Sequence, residues 1–188
     1  MYDREAALAL WRRHNDDESL LRHALSVEAA MRRFASARGE DPEYWGLVGL
    51  LHDVDYQEFP EEHLKHARPM LAEGGYPEAF IRAVESHGWG LCSDVEPVLT
   101  MEKVLYAVDE LTGFVAACAF VRPSRSVLDM EVKSVKKKWK SAGFAAGVNR
   151  DVIEKGAAML GMELDALIEE TILALRAAAE AVGLKGAL

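Results

Sequence analysis

The chain has 188 residues, half of which are hydrophobic, and it carries a formal net charge of −9 at pH 7. This length is enough for one domain with a sizeable core, and the hydrophobic content excludes an intrinsically disordered protein. The negative charge argues against a general nucleic-acid-binding protein or one that binds anionic membranes. It leaves an anionic substrate open, because a bound metal can reverse the local field.

The predicted elements are all helices. Asp41 followed by Pro42 is typical of a helix start, and Pro123 ends a long apolar helix. No segment shows the alternation or the β-branched residues of a strand. The sequence therefore predicts an all-α fold in one compact domain. In chain order, the predicted helices cover about 4–13, the stretch from the turn at 15–17 to 38, 45–52, 61–73, 77–88, 98–121, 127–140, 149–160 and 165–182.

The cysteine content and the apolar runs indicate the compartment. Cys92 and Cys118 form neither a CxxC pair nor a disulfide framework. The amino terminus is charged rather than apolar, and no apolar run approaches the ~20 residues needed to cross a bilayer. We therefore expect a cytoplasmic protein that does not associate with membranes.

Four polar residues lie on faces that are otherwise apolar. His23 shares its helix face with apolar residues, the pair His52-Asp53 ends the most apolar helix, and Asp109 interrupts an apolar series. An unpaired buried carboxylate is costly and usually becomes neutral or finds a cation. One metal ion would satisfy all four residues, so we predict that they are metal ligands.

Each of these residues also has a simpler interpretation. His23 alone is compatible with a hydrogen-bonded core histidine, and Asp109 alone with an ion pair to Arg82 or Arg122. The His-Asp pair alone could be a helix end with a local turn. The ordered set on separate helices favours the metal interpretation over three independent accidents.

Two further histidines fit the same interpretation. His87 lies at the end of a helical face, and His66 lies near the start of the preceding helix; His63, one turn from His66, could replace it. Imidazole and carboxylate ligands without thiolate suit Fe, Mn, Ni, Co or Zn. Five or six such ligands exceed the needs of one catalytic ion, so one or two divalent ions are expected, with Asp53 as the natural bridge.

The order His23, His52-Asp53, Asp109 resembles the signature of the HD superfamily of metal-dependent phosphohydrolases. With His66 and His87 inserted, the series is similar to the branch with two-metal sites. The segments 109–113 and 132–138 resemble a group of small bacterial and archaeal HD proteins. The resemblance implies an HD-domain helical bundle over 1–188, with the metal-site core at about 17–121 and a helical extension at about 124–188.

One residue departs from the family pattern. The name-giving motif reads His-Asp-Ile-Gly, whereas this chain has Asp55 in the place of the glycine. This change lies beside the predicted metal site, so substrates of the HDIG families are not carried over to this chain.

The resemblance implies hydrolysis of a small phosphate ester, such as a nucleotide, by metal-activated water. Asp53, His66 and His87 are the expected catalytic residues, with His66 or His87 protonating the leaving oxygen if it is not a ligand. One alternative is a non-catalytic HD domain that binds a metal or nucleotide as a sensor or scaffold. A second alternative is a di-iron oxygenase that uses the same ligands.

A basic segment follows Asp109 in the sequence. Arg122, Lys133 and Lys136 are candidates for binding the substrate phosphate as a group, although a solvated helix face is the favoured explanation for any single lysine. The expected partner is a small phosphorylated molecule, with neither nucleic acid nor membrane. The alanine-rich carboxyl-terminal helix leaves a homodimer open.

Overall fold

The computed structural model describes residues 3–187. In that range the backbone forms nine α-helices and one short 3-10 turn, and no strand of a sheet, so the predicted all-α fold is confirmed. The helices are α1 (Arg4–His14), α2 (Glu18–Ser36), α3 (Pro42–Leu51), α4 (Ala67–Glu73), α5 (Glu78–Ser86), α6 (Thr100–Phe120), α7 (Val132–Trp139), α8 (Arg150–Leu160) and α9 (Leu164–Ala177), and the 3-10 turn is Pro60–Glu62.

Side chains cap the helices that carry the site. The Asp17 carboxylate accepts hydrogen bonds from two backbone N–H groups in the first turn of α2. Asp41 does the same for α3, in which Pro42 is the first residue, as the sequence predicts. Each cap of this kind contributes about 1 kcal/mol of stability. The starts of α2 and α3 are therefore fixed by local sequence.

Helix α6 lies at the centre of the bundle and packs against α2, α5, α7, α8 and α9. Helix α3 packs against α1, α2 and α5. Its residues 45–51 are all buried, which explains why this helix is apolar nearly all round. The carboxyl-terminal helices α8 and α9 cover α6 and α2 with side chains such as Ile168 and Leu175, which are fully buried.

Two glycines let helices approach closely. A Cβ atom on Gly49 of α3 would lie 2.9 Å from the Val27 carbonyl oxygen of α2. A Cβ atom on Gly156 of α8 would lie 2.6 Å from the Ala107 Cβ of α6. Such distances are too short for a real side chain. Gly49 therefore brings the end of α3 against α2, where the polar residues converge.

Three predicted helices differ from the observed ones. The predicted helix 61–73 is interrupted: Leu64 has a φ of +68°, and α4 begins only at Ala67. The predicted helix 127–140 begins at Val132, because the backbone N–H of Val127 binds the Leu184 carbonyl instead of continuing a helix. The last predicted helix, 165–182, ends at residue 177. None of the described helices combines the length and the apolar character that crossing a bilayer requires.

Candidate metal centre

A first group of side chains lies where α2, α3 and α6 meet. His23 comes from α2, His52 directly follows α3, and Asp109 lies in the middle of α6. His23 Nε2 lies 3.0 Å from Asp109 Oδ1 and 3.2 Å from His52 Nε2. His52 Nε2 lies 3.3 Å from the same carboxylate oxygen. Three residues that are far apart in sequence therefore direct one atom each to a common point.

Asp53 joins this first group to a second one. Its Oδ2 lies 3.2 Å from His52 Nε2 and 3.7 Å from His23 Nε2. Its Oδ1 lies 3.2 Å from His63 Nε2 and 3.4 Å from His87 Nε2. The Nε2 atoms of His63 and His87 are themselves 3.2 Å apart. Asp53 thus presents one oxygen to each pair of histidines.

Two of the histidine rings are oriented by backbone carbonyls. His52 Nδ1 lies 2.7 Å from the Gly49 oxygen, and His87 Nδ1 lies 2.6 Å from the Val84 oxygen. A carbonyl accepts only, so each Nδ1 carries the proton and donates it. The Nε2 atom then keeps its lone pair and faces the cluster, which is the usual arrangement of a metal-ligating imidazole.

The spacing of the donor atoms tests whether they fit a metal. Ligand atoms about 2.1 Å from one ion lie about 3.0 Å apart in octahedral and about 3.4 Å apart in tetrahedral geometry. The contacts among these donor atoms fall between 3.0 and 3.4 Å, except for the 3.7 Å between His23 Nε2 and Asp53 Oδ2. Two overlapping sets of residues each offer three donor atoms that lie within 4.8 Å of one another. The sets are His23, His52 and Asp109, and His52, Asp53 and His87. The residues therefore fit one or two divalent ions.

Electrostatics in the cluster strongly favour a cation. Burial would lower the pKa of His52, but the charges of Asp53 and Asp109 raise it well above its ordinary value. Burial would also lower the pKa of His63, but its hydrogen bonds to Asp53 and Asp55 raise that pKa to about 9. Burial would raise the pKa of Asp53 and of Asp109, but the charge of His52 takes both well below their ordinary value. Without metal, His52 and His63 thus hold protons beside ionised carboxylates, and a metal ion would replace those protons.

Asp55 supports the second group from behind. It is fully buried, its Oδ1 accepts a hydrogen bond from His63 Nδ1 at 2.9 Å, and its Oδ2 accepts one from the His66 backbone N–H at 3.2 Å. The residue that departs from the family motif therefore orients one of the clustered histidines. Sequence reasoning noted this departure without finding its role.

The structure does not bring His66 into the cluster. Its ring stacks on Phe59 with the centroids 3.8 Å apart, and its Nε2 lies 3.3 Å from Glu62. Leu64, between the two histidines, has a left-handed backbone, and His63 rather than His66 contacts Asp53. The expected ligand and proton-donor role of His66 is not supported by this position, and His63, the alternative in the sequence, occupies the place.

The basic residues expected to bind phosphate also lie away from the cluster. Arg122 follows the end of α6, whose last 11 residues separate Asp109 from Phe120 by about 16 Å along the helix axis. None of the three basic residues, Arg122, Lys133 and Lys136, lines the cavity at the cluster. Each is bound to a nearby acidic residue: Arg122 to Asp129, Lys133 to Glu131 and Lys136 to Asp165.

A cavity of about 340 Å³ opens onto the clustered residues. Several of its walls were not singled out from the sequence: Tyr56, Leu91, Cys92, Glu110 and Val148. Burial raises the pKa of Glu110, and the charge of Asp109 raises it further. Burial also raises the pKa of Cys92. Glu110 is adjacent to a predicted ligand and could have been suspected, whereas no motif marks Val148.

Comparison with known families adds one match. Residues 20–112 match the family model described as HD domain, and this range contains the six clustered residues together with Asp55 and His66. Neither the comparison with curated proteins nor that with solved structures gave a match.

Proposed function

Because this chain belongs to the HD superfamily, we propose that it is a metal-dependent phosphohydrolase acting on a small phosphate ester such as a nucleotide. The observation that carries the proposal is Asp53, whose two oxygens each face a pair of histidine nitrogens at 3.2–3.7 Å. A carboxylate in this position can bridge two ions, an arrangement that stabilises displacement at phosphorus. The cofactor would be one or two ions of Fe, Mn, Ni, Co or Zn.

The residues divide into two ligand groups in this proposal. His23, His52 and Asp109 would hold one ion, His63 and His87 would hold the other, and Asp53 would serve as a ligand of both groups. The Nδ1 bonds of His52 and His87 keep their Nε2 atoms from turning away. A divalent metal supplies a Lewis acid for the phosphoryl oxygens and lowers the pKa of a coordinated water.

The chain's own residues then orient the reaction. Asp53 accepts a hydrogen bond from the attacking water and so fixes its direction. Water adds to phosphorus and the P–O bond to the organic group breaks. The organic oxygen takes the proton that the water gives up, so an alcohol and inorganic phosphate leave. His87 faces Asp53 with its Nε2, which gives it a ligand role in place of the expected proton transfer.

Metal content and hydrolysis, measured together, test the proposal. The protein is purified without chelator or histidine tag, beside Asp53→Asn and the control Asp94→Asn, which makes the same change at an exposed carboxylate. We expect one or two equivalents of transition metal in the wild type and in the control, with hydrolysis of p-nitrophenyl phosphate or nucleoside monophosphates. In Asp53→Asn we expect loss of at least one ion and a fall in kcat/KM of more than about 100-fold, since even a supporting residue is worth about 10–100-fold.

Three outcomes would contradict the proposal. Absence of metal, even after addition of manganese, iron, zinc and nickel, would remove the ligand assignment. Firmly bound metal without turnover of any phosphate ester would favour a sensor or scaffold. Oxygen uptake by the reduced iron-loaded protein, again without phosphate release, would favour an oxygenase.

A further inference from the structure

The cavity at the candidate metal centre has no lysine or arginine among the described residues that line it, and its three histidines are the candidate ligands His23, His63 and His87. Its acidic residues are Asp53, Asp109 and Glu110, and its remaining wall is largely apolar. The apolar side chains are Leu20, Tyr56, Leu91, Val148 and Val152. This composition is unusual for a cavity that takes phosphate, because proteins normally meet additional phosphate charge with arginine or lysine.

Glu110 extends the acidic surface beyond the ligand groups. It follows Asp109 on α6, and its Oε2 accepts a hydrogen bond from the Asn149 backbone N–H at 3.1 Å. That bond holds the carboxyl group at the cavity wall. Glu110 therefore offers a substrate an acceptor for hydroxyl or amino groups and no attraction for an anion.

The cations near this region are bound to other partners. Lys155 of α8 lies over the Trp89 ring with its Nζ 3.5 Å from the centroid. Arg150 donates to the backbone carbonyls of Trp139, Ser141 and Phe144. Neither residue lines the cavity. No lysine or arginine among the lining residues supplies positive charge for the substrate, so in this proposal the metal ions would supply it.

Charge balance then restricts the substrate. Two divalent ions would balance the charges of Asp53, Asp109 and one doubly ionised phosphoryl group, but a second anionic group on the substrate would face Glu110 and apolar side chains. Taking a charge out of water without a partner is strongly unfavourable. At the distances within such a cavity, repulsion from one carboxylate alone corresponds to about tenfold or more in affinity.

We propose that the substrate is a phosphate monoester whose organic part is uncharged or cationic, with an apolar group on the Leu91 side and a hydroxyl or amino group towards Glu110. This inference rests on the proposed phosphohydrolase function. It excludes nucleoside di- and triphosphates and phosphate esters that carry a carboxylate. It includes nucleoside monophosphates, whose base and sugar are neutral.

Three synthetic esters built on the same phenyl ring test the inference. Phenyl phosphate, 4-carboxyphenyl phosphate and 4-(aminomethyl)phenyl phosphate differ chiefly in the charge of the organic part. With the metal-loaded wild type we expect kcat/KM for the carboxylated ester to lie about tenfold or more below that for phenyl phosphate. We expect the amino ester to be hydrolysed at least as well as phenyl phosphate.

Glu110→Lys provides the second measurement. The ratio of kcat/KM for the carboxylated ester to that for phenyl phosphate should rise by about tenfold or more in this variant. Both esters meet the same loaded fraction of enzyme, so the ratio is insensitive to a change in metal content. Glu169→Lys, the same substitution at an exposed position of α9, should leave the ratio unchanged.

The outcomes separate the two proposals. Absence of hydrolysis of all three esters would contradict the phosphohydrolase function itself. Hydrolysis with equal kcat/KM for all three, or with a preference for the carboxylated ester, would keep that function and overturn the inference on charge. An unchanged ratio in Glu110→Lys would also overturn the place given to Glu110.

Discussion

Asp55→Asn tests how the second ligand group is supported. In the wild type, the two carboxylate oxygens of Asp55 accept one hydrogen bond from His63 Nδ1 and one from the His66 backbone N–H. Asparagine has nearly the same shape but offers one acceptor oxygen and one amide donor group. Asparagine can therefore accept only one of these two hydrogen bonds with the same geometry. The N–H group that loses its acceptor then faces the amide NH2 of the asparagine, which is also a donor.

The size of the effect follows from these two bonds. A hydrogen bond to a charged group is worth about 1.5–3 kcal/mol, and Asp55 is fully buried, so no water replaces the lost partner. Loss of a residue that orients a ligating histidine typically weakens metal binding about 10–100-fold. We therefore expect the ion held by His63 and His87 to bind about 10–100-fold more weakly. The ion held by His23, His52 and Asp109 should be affected less.

The assay is a calorimetric titration of the metal-stripped protein with Mn²⁺, which gives the number of ions and their Kd values. Asp94→Asn is the matched control, and circular dichroism checks that each variant is folded. The double variant Asp55→Asn/His63→Ala should bind no more weakly than His63→Ala alone, because Asp55 acts through that ring. Wild-type affinity for both ions in Asp55→Asn, or fully additive losses in the double variant, would refute the reasoning.

Three further perturbations test other parts of the structure. His63→Ala should lose about one equivalent of metal by elemental analysis, whereas His66→Ala should keep the wild-type content; the reverse result would restore His66 as the ligand. Gly49→Ala should lower the free energy of unfolding by about 1–3 kcal/mol in urea titrations, because its methyl group would meet the Val27 carbonyl, and an unchanged midpoint would contradict this close approach. The pKa of His63, about 9 in the metal-stripped protein, lies above its ordinary value of 6.5, so the stabilisation from its partners is complete below pH 6.5 and is lost as the pH rises to 9. The Tm should fall across that interval in the wild type and fall less in His63→Gln, in which the raised pKa of His52 still contributes, and a flat wild-type profile would contradict the raised pKa.

Part of the candidate site could be found from the sequence because it depends on helical periodicity. His23 and Asp109 are polar residues on apolar helix faces, and a face that turns towards the core carries its polar residues with it. His52 could be located because it ends a helix that is apolar nearly all round. The structure brings these three side chains within about 3 Å of one another. Their role as ligands stays a prediction until metal is measured.

Periodicity could not separate His63 from His66, since residues three apart lie on nearly the same side of a helix. The distinction depends on a helix that is not formed. Leu64 adopts a left-handed conformation, and Asp55 accepts the His66 N–H from a position 11 residues upstream. A tertiary hydrogen bond thus overrides local helix propensity, and no local pattern predicts such a bond.

The basic residues show a similar limit. Arg122, Lys133 and Lys136 form the most basic region of an acidic chain, and this led to the prediction that they bind phosphate. The length of α6 beyond Asp109 separates Arg122 from the cluster, and each of the three residues is paired with an acidic residue outside the cavity lining. Charge density along a sequence predicts a basic surface, but it does not say which cavity that surface faces.

The cavity also shows why the family match indicates the metal more clearly than the substrate. The matched range ends at residue 112, and it contains the residues of both proposed ligand groups. Part of the cavity wall comes from Val148 and Val152, which lie well beyond that range. Glu110 contacts this later segment through the Asn149 N–H, so packing of α8 against α6 shapes the space in front of the cluster. Substitutions at Val148 or Val152 should therefore change KM for different esters while leaving the metal content unchanged, and elemental analysis beside kcat/KM for the three phenyl phosphates would separate the two effects.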